Sequence, residues 1–126
     1  MDEENIQILQ EKYQESNSLE EQLQIIIQQS NELKLFGESL KELEKRKENE
    51  IFASVGKGVY IKSELKERNF FVDVGAGILV KKTPEEAERI IENQVRKLGE
   101  LKIQLQEMLE SLAMEMQDII RKLEEK

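Results

Sequence analysis

The sequence predicts a mainly α-helical chain with a small β component: a long antiparallel coiled-coil helical hairpin with two β-hairpins at its bend. Three observations lead there. Apolar residues recur at steps of three and four toward both ends of the chain, the period falls to two in the middle, and that middle carries a duplicated Gly-X-Gly unit. Composition agrees, because only 38% of the 126 residues are hydrophobic while 37% are charged, too lean for a compact globule. Leu, Ile, Glu, Lys and Gln with a single Pro suit long helices that bury one narrow seam and leave most of their surface in water. The chain reads as one domain over 1–126.

The first helix is expected over about 4–49. From Asn5 to Glu48 there is no Pro and Gly37 is the single Gly, while Leu19, Leu23, Ile26, Leu33 and Leu40 mark a heptad seam. Ser16, Ser30 and Gly37 take the remaining seam positions, so packing there is weaker or closer than in an all-Leu zipper. At 1.5 Å per residue such a helix is about 65 Å long.

The middle segment holds an internal repeat. Ser54-Val55-Gly56-Lys57-Gly58-Val59-Tyr60-Ile61-Lys62 matches Asp73-Val74-Gly75-Ala76-Gly77-Ile78-Leu79-Val80-Lys81, 19 residues on. Each unit reads as strand, turn, strand, with Gly56, Gly58, Gly75 and Gly77 as turn glycines supplying positive φ. Hairpins are expected at about 51–65 and 70–82, joined by the polar turn Lys66-Glu67-Arg68-Asn69. Four short strands with open edges make a poor free-standing sheet, so assembly with other subunits through these hairpins is expected.

The second helix, about 84–125, opens on Thr83-Pro84-Glu85-Glu86, where Thr caps, Pro suits the first helical position and Glu86 completes a capping box. Its seam reads Ala87, Ile91, Gln94, Leu98, Leu101, Leu105, Leu109, Leu112, Met116, Ile119 and Leu123, with a stutter around Leu105. Folding back antiparallel brings Leu9 and Tyr13 near Ile119 and Leu123. At these ends Ile6, Ile8, Leu9, Tyr13, Met116, Ile119, Ile120 and Leu123 form an apolar face wider than a seam needs; Ile8 and Ile120 fall outside its phase. Such a face either widens the local core or grips exposed apolar segments of other chains.

Most catalytic chemistry is excluded. With no Cys and no His, the commonest nucleophiles, general bases and metal ligands are missing. Gly56-Lys57-Gly58 lacks the spacing of a phosphate loop, and Gly75-Ala76-Gly77 leads into a strand rather than a helix N-terminus. Glu85, Glu86 and Glu88 lie on a charged helix where water is expected to level differences in their acidity. The expectation is no enzyme, no catalytic residue, no metal and no cofactor.

Charge and hydropathy bound the partners. The net charge of -8 divides into 13 acids against 6 bases up to Glu50, 3 against 6 over 51–83, and 11 against 7 thereafter. Nucleic acid is therefore not the expected partner. No apolar run approaches a membrane span, and Met1-Asp2-Glu3-Glu4 lacks a basic region before an apolar stretch, so a cytoplasmic protein without membrane contact is expected.

The order helix, Ser54–Lys62 hairpin, Asp73–Lys81 hairpin and Lys82-Thr83-Pro84-Glu85-Glu86-Ala87 opening a second helix resembles the prefoldins, and among them the α-type subunit of archaeal prefoldin, over essentially the whole chain. Two hairpins rather than one are what make it similar to the α class. The resemblance implies a heterohexamer of two α and four β subunits whose strands form a β-barrel platform bearing the coiled coils. It implies ATP-independent capture of nonnative protein clients at the coiled-coil tips and delivery to a group II chaperonin. Ile6, Leu9, Tyr13, Ile119 and Leu123 would then contact clients, and Val55, Val59, Ile61, Val74, Ile78 and Val80 would build the oligomer interface. Ser16 and Ser30 in the seam, and an end soon after Leu123, depart from some relatives. Two other readings stand beside it: an α-like prefoldin that self-assembles into filaments or rings, and a coiled-coil scaffold with one dedicated partner.

Overall fold

A computed structural model describes residues 2–125 as two long helices with two small antiparallel β-hairpins between them. The elements are α1 (Asp2–Lys45), β1 (Glu50–Gly56), β2 (Val59–Glu64), β3 (Phe70–Asp73), β4 (Leu79–Lys82) and α2 (Pro84–Glu124). The chain divides into two compact units, Met1–Glu32 with Val95–Lys126, and Leu33–Gln94.

In the first unit the two helix segments run antiparallel, Lys12 meeting Glu115 and Leu19 packing with Leu105 and Leu112. Leu23, Ile26 and Leu109 pack against that cluster. The buried and half-buried positions of α1 here are Asn5, Leu9, Lys12, Ser16, Leu19, Leu23, Ile26, Ile27 and Ser30, a three-four alternation with Ile27 widening it. Tyr13 is not among them: it is 62% exposed, and Lys12 holds the seam position beside it. The long aliphatic stem of Lys lets it lie along the seam while its ammonium reaches Glu115.

On α2 the alternation from Val95 is unbroken through Leu98, Lys102, Leu105, Leu109, Leu112, Met116, Ile119 and Leu123. The expected stutter at Leu105 is therefore absent. Leu101 is 40% exposed and Lys102 takes the half-buried place; Gln94 is likewise exposed and Val95 half-buried. Regular supercoiling favours a strict seven-residue repeat over a local run of apolar letters, so the helix sacrifices Leu101 to keep its phase.

In the second unit β1 pairs β2 and β3 pairs β4, as two separate two-stranded sheets. Ser54 faces Tyr60 and Gly56 faces Val59, leaving Val55 as the bulged residue. The sequence repeat extends to the turns. Gly56, Lys57 and Gly58 have φ of +106°, +51° and +79°, and Gly75, Ala76 and Gly77 have +126°, +52° and +74°. The Ser54 hydroxyl accepts the Gly56 N–H at 3.3 Å, and the Asp73 carboxylate accepts the Gly75 N–H at 2.8 Å. Both are side-chain bonds to a backbone two residues on, which start the reversal.

The helix ends in this unit are held by side chains. At the start of α2 the Glu86 N–H donates to Thr83 Oγ1 at 3.2 Å and the Thr83 N–H donates to the Glu86 carboxylate at 3.3 Å, a closed capping box. The Thr83 N–H, and then the Thr83 hydroxyl, which donates to the same carboxylate at 3.0 Å, hold the Glu86 carboxyl below its ordinary range against burial, with Lys82 and Arg89 adding. α1 stops at Lys45, short of the expected 49. Arg68, from the turn between the hairpins, donates to Leu43 O at 3.0 Å, Glu48 O at 3.1 Å and Asn49 Oδ1 at 3.3 Å. Its guanidinium satisfies a carbonyl that the helix leaves open and adds positive charge at the negative end of the helix dipole.

Within the same unit β3 sits beside the helices. Leu33, Phe36, Leu40, Phe70, Val72 and Ile91 are among the residues lining an apolar groove of about 270 Å³. Gly37 brings α1 close to α2 here, since a Cβ in its place would meet Ile91 Cγ2 at 3.3 Å.

Candidate functional site

Two apolar surfaces stand out, one in each unit. In the second unit the hairpins expose what a folded monomer would bury. Val55, Val59, Ile61, Val74 and Ile78 all lie more than half exposed, while Val80 is half-buried opposite Val72, on the side of β4 turned toward the protein. The reason is strand alternation: Val72 and Val80 share one face, and Phe71 shares the other with Lys81. The repeat pattern alone missed Phe52, Tyr60, Phe71 and Leu79, which are exposed to 71%, 61%, 56% and 61%. Phe52 and Tyr60 lie on the face of the first hairpin opposite Ile51, Ala53 and Ile61, so both faces of that hairpin are apolar. The alternation of β1, apolar on its odd and even positions alike, carried that signal.

Three ion pairs lie around the hairpins. Lys62 pairs with Glu50 at 3.6 Å, Lys81 with Glu67 at 3.0 Å and Lys82 with Glu86 at 3.8 Å. Three of the six bases of this segment thus face carboxylates. Near the hairpins a hydrogen bond with Glu88, then burial, then repulsion from Glu88 and Glu85 push the Glu44 carboxyl above its ordinary range, against Lys45.

In the first unit the ends of α1 and α2 carry the other surface. Ile6, Ile8 and Tyr13 are exposed on α1 and Ile120 on α2, whereas Leu9, Met116, Ile119 and Leu123 are half-buried seam residues. Leu9 and Tyr13 with Gln10 and Gln14 line a shallow open depression. Lys12 donates to Glu115 at 2.6 Å, and that hydrogen bond, against burial, raises the Lys12 pKa, with the charges of Glu115 and Glu15 contributing. Among the described residues no group of three or more carboxylates is arranged to hold a metal ion, and no helix is long and apolar enough to cross a membrane.

Two long helices that share a seam, with two hairpins between them in the chain whose apolar faces and edges stand open, define a coiled-coil and β-hairpin class of protein. Comparison with protein families narrows the class. The description "prefoldin subunit" matches residues 3–126, and the chain belongs to the prefoldin family. Among solved structures it is similar to the filamentous PFD from Methanocaldococcus jannaschii, with a TM-score of 0.80 and 20% identity, over 91% of this chain and 97% of that one. At that identity the likeness concerns the fold. A search of curated proteins finds no match.

Proposed function

We propose that the chain is an α-type subunit of a cytoplasmic, ATP-independent chaperone, without enzymatic activity, that assembles through its hairpins and captures nonnative proteins at the ends of its helices. The observation that carries this reading is the exposure of Ile6, Ile8, Tyr13 and Ile120 at those ends, outside any seam, in a member of the prefoldin family. Ile6, Ile8, Leu9, Tyr13, Met116, Ile119, Ile120 and Leu123 are the proposed client contacts. Weak apolar contacts, each worth about 1–2 kcal/mol by area, hold an unfolded segment when several subunits engage it together. Val55, Val59, Ile61, Val74, Ile78 and Val80 are the proposed oligomer contacts, with β-type subunits in a two-to-four complex, and a group II chaperonin is the proposed recipient of clients.

The test is suppression of aggregation of an unfolding protein, without nucleotide, by the chain assembled with a β-type partner. Full aggregation in its presence refutes the reading. A second reading is favoured by the likeness to a filamentous PFD: self-assembly through the hairpins into filaments or rings. An open helical arrangement follows whenever a heterologous contact does not close. Sizing the purified chain alone separates the two. Concentration-dependent polymers favour the filament, and a small species that grows only with partner favours the heterohexamer.

A further inference from the structure

The seam of the first unit changes character along its length. Around Leu19, Leu105 and Leu112 it is apolar from both helices. Toward the chain ends α2 continues apolar through Met116, Ile119 and Leu123, but α1 presents Asn5, Leu9, Lys12 and Ser16, of which only Leu9 is apolar. Three half-buried apolar side chains of α2 thus face a mostly polar strip. The Lys12–Glu115 ion pair crosses between the helices there at 2.6 Å, with side chains 27% and 50% exposed. A Leu in place of Lys12 would close the zipper by burial, which salt does not loosen; a half-exposed ion pair closes it weakly and reversibly.

We propose that the Lys12–Glu115 pair is a reversible latch on the terminal end of this seam, whose release makes the Met116, Ile119 and Leu123 stripe available to an extended apolar segment of a nonnative chain. The inference rests on the capture reading above and adds a covered stripe on α2 to the exposed contacts, with what holds it covered. Polar α1 residues lose little on separating from α2, because water satisfies Asn5, Lys12 and Ser16 as well as the seam does. Flexible Met116 then adapts to varied apolar segments. Glu15 also lies near Lys12, so removing Glu115 weakens the attraction without abolishing it.

The test uses the full chain in its native assembly, reading amide hydrogen exchange over 2–16 and 113–124 and, separately, suppression of client aggregation. Glu115→Gln is expected to speed exchange at both ends by up to about fivefold, the range of an exposed ion pair, and high salt is expected to do the same to the wild type. Lys12→Leu breaks the same pair yet is expected to slow exchange by about tenfold, because it extends the apolar seam. Exchanging the charges in Lys12→Glu/Glu115→Lys is expected to bring the rate back toward wild type, short of it because Glu15 then repels the carboxylate at position 12. Capture should follow exchange, rising in Glu115→Gln and falling in Lys12→Leu. Exchange unchanged in Glu115→Gln, or shifted in the same direction by Glu115→Gln and Lys12→Leu, overturns the latch. Exchange that shifts as expected while capture stays constant overturns its link to the grip. A wild-type assembly that captures nothing instead removes the capture reading, and the exchange rates still decide whether the latch exists.

Discussion

Replacing Arg68 tests how the hairpins are tied to the helices. Its guanidinium spans three acceptors at the end of α1, at 3.0, 3.1 and 3.3 Å, and the contact with Leu43 O is partly buried. A charge-assisted hydrogen bond is worth about 1.5–3 kcal/mol where it is shielded. The bonds to Glu48 O and Asn49 Oδ1 are exposed and add less, so Arg68→Met is expected to cost about 2–3 kcal/mol locally. By 1.4 kcal/mol per factor of ten, that raises the undocked population of this turn by roughly 30- to 150-fold. Arg68→Lys keeps the charge opposite the helix dipole but loses the planar fork, and should lose about half as much. The assay is hydrogen exchange at two amides fastened nearby, Arg46 N–H to Glu42 O at 3.1 Å and Leu65 N–H to Asn49 O at 2.7 Å. Protection of both amides within threefold of wild type in Arg68→Met would show that the guanidinium decorates this junction without holding it.

Four further outcomes are expected. Leu105→Ala removes three buried carbon groups and should destabilise the first unit by about 2–3 kcal/mol in a denaturant titration, whereas Leu101→Ala, at a 40% exposed position, should change stability by under about 0.5 kcal/mol. Equal costs would return Leu101 to the seam. Thr83→Ala opens the capping box and should cost about 1 kcal/mol, read as faster exchange in the first turn of α2. Gly75→Ala forces an L-residue to φ +126° and should melt the second hairpin selectively, by about 1–2 kcal/mol, visible as loss of protection at the Val74 and Ile78 amides. The pH dependence has two opposed parts. Glu86, with its folded pKa lowered, contributes stability present above its unfolded value near 4.5 and lost as pH falls through the folded value. Glu44, with its folded pKa raised, contributes stability present below its unfolded value near 4.5 and lost as pH rises through the folded value. Glu44→Gln should therefore raise the melting temperature at neutral pH relative to wild type and leave it unchanged in acid; a constant difference across that range refutes the pairing with Glu88.

Much of this molecule is legible from spacing. Two heptad seams, the Thr83-Pro84-Glu85-Glu86 opening and the nineteen-residue Gly-X-Gly repeat are local patterns, each with a local physical cause, and they are enough to place two helices around two hairpins. The positive φ at Gly56, Gly58, Gly75 and Gly77 follows from the same turn chemistry. The end of α1 does not. Arg46, Lys47 and Glu48 are good helix formers, and the helix stops at Lys45 beside carbonyls that Arg68 binds from 25 residues downstream. Nor does the choice of Lys12 over Tyr13, or of Lys102 over Leu101, because hydropathy ranks the residues the other way. A seam is a shared surface, and its phase is set by what the opposite helix presents along its whole length. Chain order determined which elements form; packing between elements decided where they end and which side chains face one another.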